Sequence, residues 1–228
     1  MKKHLMMVTL ALMCCMTAAG QEFLRVEGST RLTVIDKEWE HETLRGVADN
    51  SLGAMLDCFD KRWPTWMVKA ARQTMKKGLL MERNGDSKPV VFNDPKNGWV
   101  DVAMSGPAIA EFMNVCYWKR TNGHRLLGIY FGQPIEPSIH FVCFYDYDPQ
   151  NRTLTPEPHI IDGYRTTEET KFYYELPHEG KDFVILEFGP KGHLRHTFKW
   201  DGMKPVFSET KVEEDVDTDG GCDEDEEE

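Results

Sequence analysis

Residues 116–131 read Cys116-Tyr117-Trp118-Lys119-Arg120-Thr121-Asn122-Gly123-His124-Arg125-Leu126-Leu127-Gly128-Ile129-Tyr130-Phe131, and their reading decides the fold class. Asn122-Gly123 supplies residues that tolerate positive φ, which a tight hairpin turn requires, and strand formers flank it on both sides. Working outward, residues 138–147 alternate Ile139, Phe141, Cys143 and Tyr145 with His140, Val142, Phe144 and Asp146. Both faces of that run are largely apolar, so it is expected to lie centrally in a sheet and to be covered on each side. Asp148-Pro149-Gln150-Asn151 then ends it. Further strands are expected at 171–176, 183–188 and 193–200, with Asp201-Gly202 turning the last into 203–207. Turns about every ten residues are the rhythm of an antiparallel sandwich, a barrel or a strongly bent sheet.

The N-terminal side has another period. A strand is expected at 31–35, in the β-branched run Thr33-Val34-Ile35. Leu52, Met55, Leu56 and Phe59 then fall at i, i+3, i+4 and i+7, a helical stripe with Asn50 or Ser51 as cap. Trp63-Pro64 interrupts it, and Pro64 suits the first turn of a second helix carrying Met67, Ala70, Ala71, Thr74 and Met75 on one face. Lys76, Lys77 and Gly78 suit that helix's end. Residues 79–82 and 89–93 flank Asn84-Gly85-Asp86 as a first hairpin, residues 99–105 follow as a strand, and 108–114 read equally as a helical turn or a strand start. The fold class expected is α+β, with two N-terminal helices packed on a largely antiparallel, aromatic-rich β-sheet or sandwich.

Residues 1–20 are expected to be a secretory signal peptide. Lys2 and Lys3 form a basic start, 5–16 an apolar run too short to span a bilayer, and Thr17-Ala18-Ala19-Gly20 a small-residue cleavage zone. A lipid anchor on Cys15 is the rival reading; it needs a small residue before the cysteine, and Cys14 stands there. Residues 21–212 then form one domain, exported to the periplasm or secreted, with no transmembrane segment in the mature chain. The net charge is −11. Eleven acidic groups fall in 213–228 and two lysines in the leader, which leaves 27 acidic against 25 basic side chains in the body. No basic run appears, so nucleic acid is not an expected partner.

The hairpin Tyr117-Trp118-Lys119-Arg120-Thr121-Asn122-Gly123, the strand end Phe144-Tyr145-Asp146-Tyr147-Asp148-Pro149 and the closing Phe198-Lys199-Trp200-Asp201-Gly202, together with the leader, resemble small exported proteins of gut-type Gram-negative bacteria. The resemblance spans most of 79–207, rests on turn and strand chemistry, and implies an exported protein. It brings no activity and no catalytic residue.

Several constellations carry possible chemistry. Asp215, Asp217, Asp219, Gly220 and Glu226 match a calcium-loop spacing, whose alternate carboxylates converge on one hard cation. Cys222 stands where an apolar residue is expected and only two residues follow Glu226, so a solvated acidic tail, disordered and with at most weak calcium binding, is preferred. His193 and His196, three apart, point to opposite sides of a strand, and a metal site there would need Glu187 and a local loop. His140 reads as a satisfied core histidine. Asp146 and Asp148 share a strand face and are the carboxylates a hydrolase reading would use, though solvating the strand end is preferred. Cys116 and Cys143 read as buried thiols or a cross-strand bridge, with thiols preferred because a core of this size needs no staple. Cys116 with His124 is a weak nucleophile pair.

Twenty-five aromatic residues are many for a small sheet. Trp99, Trp118, Tyr130 and Trp200, with Tyr117, Tyr173 and Tyr174, are candidates for a sugar-binding surface, against core and cross-strand packing as the ordinary use of such rings. The function expected is that of an exported non-catalytic binding or structural protein of the cell envelope, its ligand a glycan or an envelope protein. The alternatives are a hydrolase with a carboxylate acid/base pair and a calcium-responsive protein acting through its tail.

Overall fold

In the computed structural model, which describes residues 30–77, 89–104, 111–133, 139–190 and 192–213, the Asn122-Gly123 turn joins β4 (Phe112–Lys119) to β5 (Arg125–Gln133). Gly123 takes the left-handed φ of 87° that the turn requires, and its N–H donates to the Arg120 carbonyl. The strand at 139–148 is β6 (Ile139–Asp148), paired with β5 on one side and β7 (Thr153–Pro156) on the other. With β1 (Leu44–Arg45), β2 (Pro89–Asp94) and β3 (Trp99–Met104), these form a seven-stranded antiparallel sheet of order β1-β7-β6-β5-β4-β3-β2. A second antiparallel sheet runs β11-β10-β9-β8, from β8 (Lys171–Glu175), β9 (Phe183–Gly189), β10 (Gly192–Trp200) and β11 (Pro205–Val212). The last strand extends past Phe207 through Ser208-Glu209-Thr210-Lys211, a polar stretch with no apolar alternation to announce it.

β5 and β6 are buried almost throughout, because each of their faces has its own cover. Successive side chains point to opposite faces of a strand. On one face Tyr145 meets Trp39 and Phe59, and Phe131 stacks on Phe59, with ring centroids 5.7–6.1 Å apart. On the other, Phe144 meets Phe183 edge-on at 5.4 Å and Tyr130 meets Tyr174 at 5.3 Å. Each fully buried ring of this kind contributes roughly 1.5–3 kcal/mol.

The described residues form three α-helices: α1 (Leu32–Glu38), α2 (Leu52–Arg62) and α3 (Trp66–Lys77). The fold is α+β with antiparallel sheets, as expected, but α1 occupies the stretch expected to be a strand. Leu32, Ile35 and Trp39 lie at i, i+3 and i+7, and all three are buried; tertiary burial of that face overrides the β preference of Thr33-Val34-Ile35. Ser51 caps α2, its hydroxyl accepting from the Ala54 N–H at 3.1 Å. Thr65 caps α3 by accepting from the Val68 N–H, so Pro64 stands before the cap rather than in the first turn. The expected leader, the strand at 79–82 with its Asn84-Gly85-Asp86 turn, and the calcium pattern from Asp215 to Glu226 lie outside the described residues. Among the described residues, no helix is long and apolar enough to cross a membrane.

Candidate functional site

The rings expected to form a surface platform are turned inward. Trp118 and Tyr130 are each 4% exposed and Trp99 is 9% exposed, while Trp200 is partly buried. Trp118 stacks on Trp200 with centroids 5.8 Å apart, and its indole N–H donates to the Lys181 carbonyl at 2.9 Å. Trp99 packs on His178, and Tyr130 lies edge-on to Phe112. Tyr117 is closed between Gly98, where any Cβ would come within 2.4 Å of its ring, and the Arg125 guanidinium 4.6 Å from its centroid. Gly98 also has φ of 65°, so its backbone and the ring both demand glycine. Trp99, Trp118 and Tyr130 are thus enclosed by neighbouring groups, while Tyr117 and Trp200 are partly buried.

The carboxylates of the hydrolase reading are committed to structure. Asp148 accepts from the N–H groups of Gln150 and Asn151 and from the Asn151 side chain, building the turn after β6; these bonds hold its carboxyl below the usual range. Asp146 accepts from Arg120 on one oxygen and lies 2.7 Å from His124 Nδ1 on the other. Arg120 also grips Glu157 with both terminal nitrogens, at 2.7 and 2.6 Å. This network ties the end of β4 to the ends of β6 and β7.

The remaining candidates separate in the same way. His196 spends both ring nitrogens, on Glu187 and Thr210, each at 2.8 Å, whereas His193 packs on Phe188. The described residues contain no group of three or more His, Cys, Asp or Glu able to hold a metal. Cys58, Cys116 and Cys143 are free and buried, and burial raises their thiol pKa values. No Cys116–Cys143 bridge forms. Cys116 registers with Gly128 and Cys143 with Ile129, neighbouring positions of the intervening β5, so the two thiols point to opposite faces. That burial also removes Cys116 as a nucleophile, and His124 serves Asp146 instead.

His140, 9% exposed, shares a pocket of about 140 Å³ with Asp36, Arg165 and Tyr174. Tyr130 Oη lies 2.8 Å from His140 Nδ1 and also takes a backbone hydrogen bond from Tyr174. Burial, with Lys171 nearby, lowers the His140 pKa to about 4, and burial raises that of Asp36.

A larger opening than this lies elsewhere, a cleft of about 610 Å³ between the start of α2, the end of α3, and the β2–β3 and β4–β5 hairpins. Its size is that of small-molecule sites. Asn50, Gly53, Met75, Lys76, Asn93 and Arg125 are among its walls. Arg72 pairs with Asp57 and, at 3.1 Å, with Asp60, which neutralises that wall. Arg125 donates to the Asn50 carbonyl, and Tyr147 donates to the Asn50 side chain at 2.8 Å, fixing the approach to the helix. Gly53 stands one residue inside α2, and a Cβ there would meet nothing closer than Met75 Sδ at 3.6 Å. Sequence reasoning named none of these residues as a site. The glycine inside a helix stripe was the one signal available; the rest converge from four separated segments. No family model, no curated protein and no solved structure matches the chain.

Proposed function

We propose that this chain is an exported protein of the cell envelope that acts by binding, with its N-terminal helices laid over one face of the seven-stranded sheet to wall the 610 Å³ cleft. The observation that carries the reading is Gly53. Glycine in the middle of a helix destabilises it by roughly 0.5–1 kcal/mol relative to alanine, and by less in the first turn, where Gly53 stands. Neither a positive φ nor a close neighbour requires glycine here. What the missing side chain leaves open is the cleft, so that a ligand can approach the α2 backbone. Amides from Asn50 and Asn93, the Arg125 guanidinium and the Met75 thioether then offer hydrogen bonds, charge and an apolar contact, a set suited to a glycan end or a short peptide.

The test is NMR on the full chain with a panel of neutral, amino and acidic sugars and short peptides. A ligand is expected to shift the amides of Asn50, Gly53 and Asn93. Gly53→Leu should abolish those shifts while the melting temperature holds or rises. Shifts that persist in Gly53→Leu, or that map away from the cleft, would overturn the reading.

A further inference from the structure

Three lysines far apart in sequence line one groove. Lys96 comes from the β2–β3 turn, Lys119 from the end of β4 and Lys181 from the β8–β9 loop, and with Asn97, His178 and Trp118 they surround about 230 Å³. No carboxylate lines this groove. Among the described residues, none of the three lysines takes part in an ion pair, whereas Lys199 and Lys211 do. In a chain of net charge −11, three uncompensated cations around one opening run against the average. Their mutual repulsion is relieved when an anion enters.

The scaffold beneath them is fixed. Asp94 accepts from the N–H groups of Lys96 and Asn97 at 3.1 and 3.3 Å, from the Asn97 side chain at 2.7 Å and from His178 Nε2 at 3.0 Å. Its charge is taken up by these donors, which hold its carboxyl below the usual range. His178 is further held between Phe92 and Trp99, each with its ring centroid at 5.4 Å. The Trp118 indole pins the Lys181 carbonyl at 2.9 Å. Of the acids in the β8–β9 loop, Asp182 is tied to Lys199 at 2.6 Å, and Glu179 does not line the groove.

We propose that this groove binds a tetrahedral oxyanion, the sulfate or phosphate group of an ester or the free ion. The reason is geometric. Lysine ammonium groups hold phosphate-like anions as point charges, and lysines rather than arginines line the groove. Three lysines carried by separate elements around one groove suit an anion that presents oxygens in several directions. This site is distinct from the cleft at Gly53, although Tyr117 forms a wall of both.

The test titrates the full chain with sodium sulfate, sodium phosphate, dextran sulfate and neutral dextran at constant ionic strength, following the amides of Asn97, Gly180 and Lys181. Saturable shifts with sulfate or phosphate are expected. Changing Lys96, Lys119 or Lys181 to Gln should weaken binding about threefold each at low salt, and the triple variant roughly thirtyfold. Lys211→Gln, on the β11 edge, should leave it unchanged. Tighter binding of dextran sulfate than of the inorganic ion identifies a sulfated polymer as the source; equal or weaker binding identifies the small ion. No saturable binding of either anion, an equal loss in Lys211→Gln, or equal shifts with neutral dextran would overturn the proposal, as would single-stranded RNA outcompeting every sulfate and phosphate probe.

Discussion

Lys119 and Arg120 are neighbours at the end of β4, and they feed two opposite kinds of charge cluster. Arg120, its side chain 6% exposed, is enclosed by Asp146 and Glu157. Lys119 is exposed, and no carboxylate stands among the residues that line its groove. The first cluster pairs its guanidinium with two carboxylates and fastens three strand ends together. The second leaves its charge available. Burial with partners yields rigidity, whereas exposure without partners yields capacity to bind, and the same strand end supplies both.

The sharpest way to break that comparison is Arg120→Leu. It leaves Asp146 and Glu157 facing each other without their cation, and urea denaturation should show a loss of about 3–5 kcal/mol, the cost typical of removing one member of a buried pair. Sulfate and phosphate affinity should not change. A variant as stable as the parent would show that the closed network is no fastening at all.

The next effect concerns His140, another buried polar group held by partners. Its pKa of about 4 lies below the unfolded value of 6.5, so between these values the unfolded chain binds the extra proton. Stability attributable to neutral His140 is therefore complete above pH 6.5 and is lost as the pH falls from 6.5 to 4, by about 2–3 kcal/mol. Asp36, which lines the same pocket, acts in the opposite sense: its raised pKa gives stability at low pH that is lost as the pH rises above the unfolded value. Urea midpoints across pH 4–7 for the parent, His140→Gln and Asp36→Asn separate the two. The acid loss should shrink in the first variant and grow in the second.

Smaller effects test the open side. Gly53→Ala should gain up to about 0.5 kcal/mol in thermal or urea unfolding, since Gly53 stands in the first turn of α2 and the new methyl meets only an ordinary contact with Met75. Changing Lys96, Lys119 and Lys181 together to Gln should alter stability by less than about 0.5 kcal/mol. Together with Arg120→Leu, this gives a double dissociation: one variant loses stability and keeps anion binding, the other does the reverse.

What the sequence displayed was local. Asn122-Gly123 between strand formers announced β4 and β5, and the two-faced apolar run announced β6 as a covered central strand. The stripe at Leu52, Met55, Leu56 and Phe59 announced α2. Where two local signals competed, the weaker-looking one won: Leu32, Ile35 and Trp39 made a helical face out of a β-branched run. Site residues were less legible because their relations are not local. Lys96 and Lys181 belong to two different connections and Lys119 to the end of β4, and nothing in their spacing brings them together. The aromatic residues were conspicuous for their number, yet number alone does not say which way a ring points; Trp99, Trp118 and Tyr130 point into the core.

The double cover of β5 and β6 bears on how the chain comes into being. One of the two covers, the second sheet, is drawn entirely from residues 171–212, the last described stretch to be synthesised. Until it arrives, the Trp118, Tyr130 and Phe144 face of the first sheet has nothing to lie against but water, and such a face invites association with other chains. The C-terminal meander thus supplies the cover that the middle of its own chain needs. A product ending before Lys171 should aggregate rather than persist as a smaller folded protein.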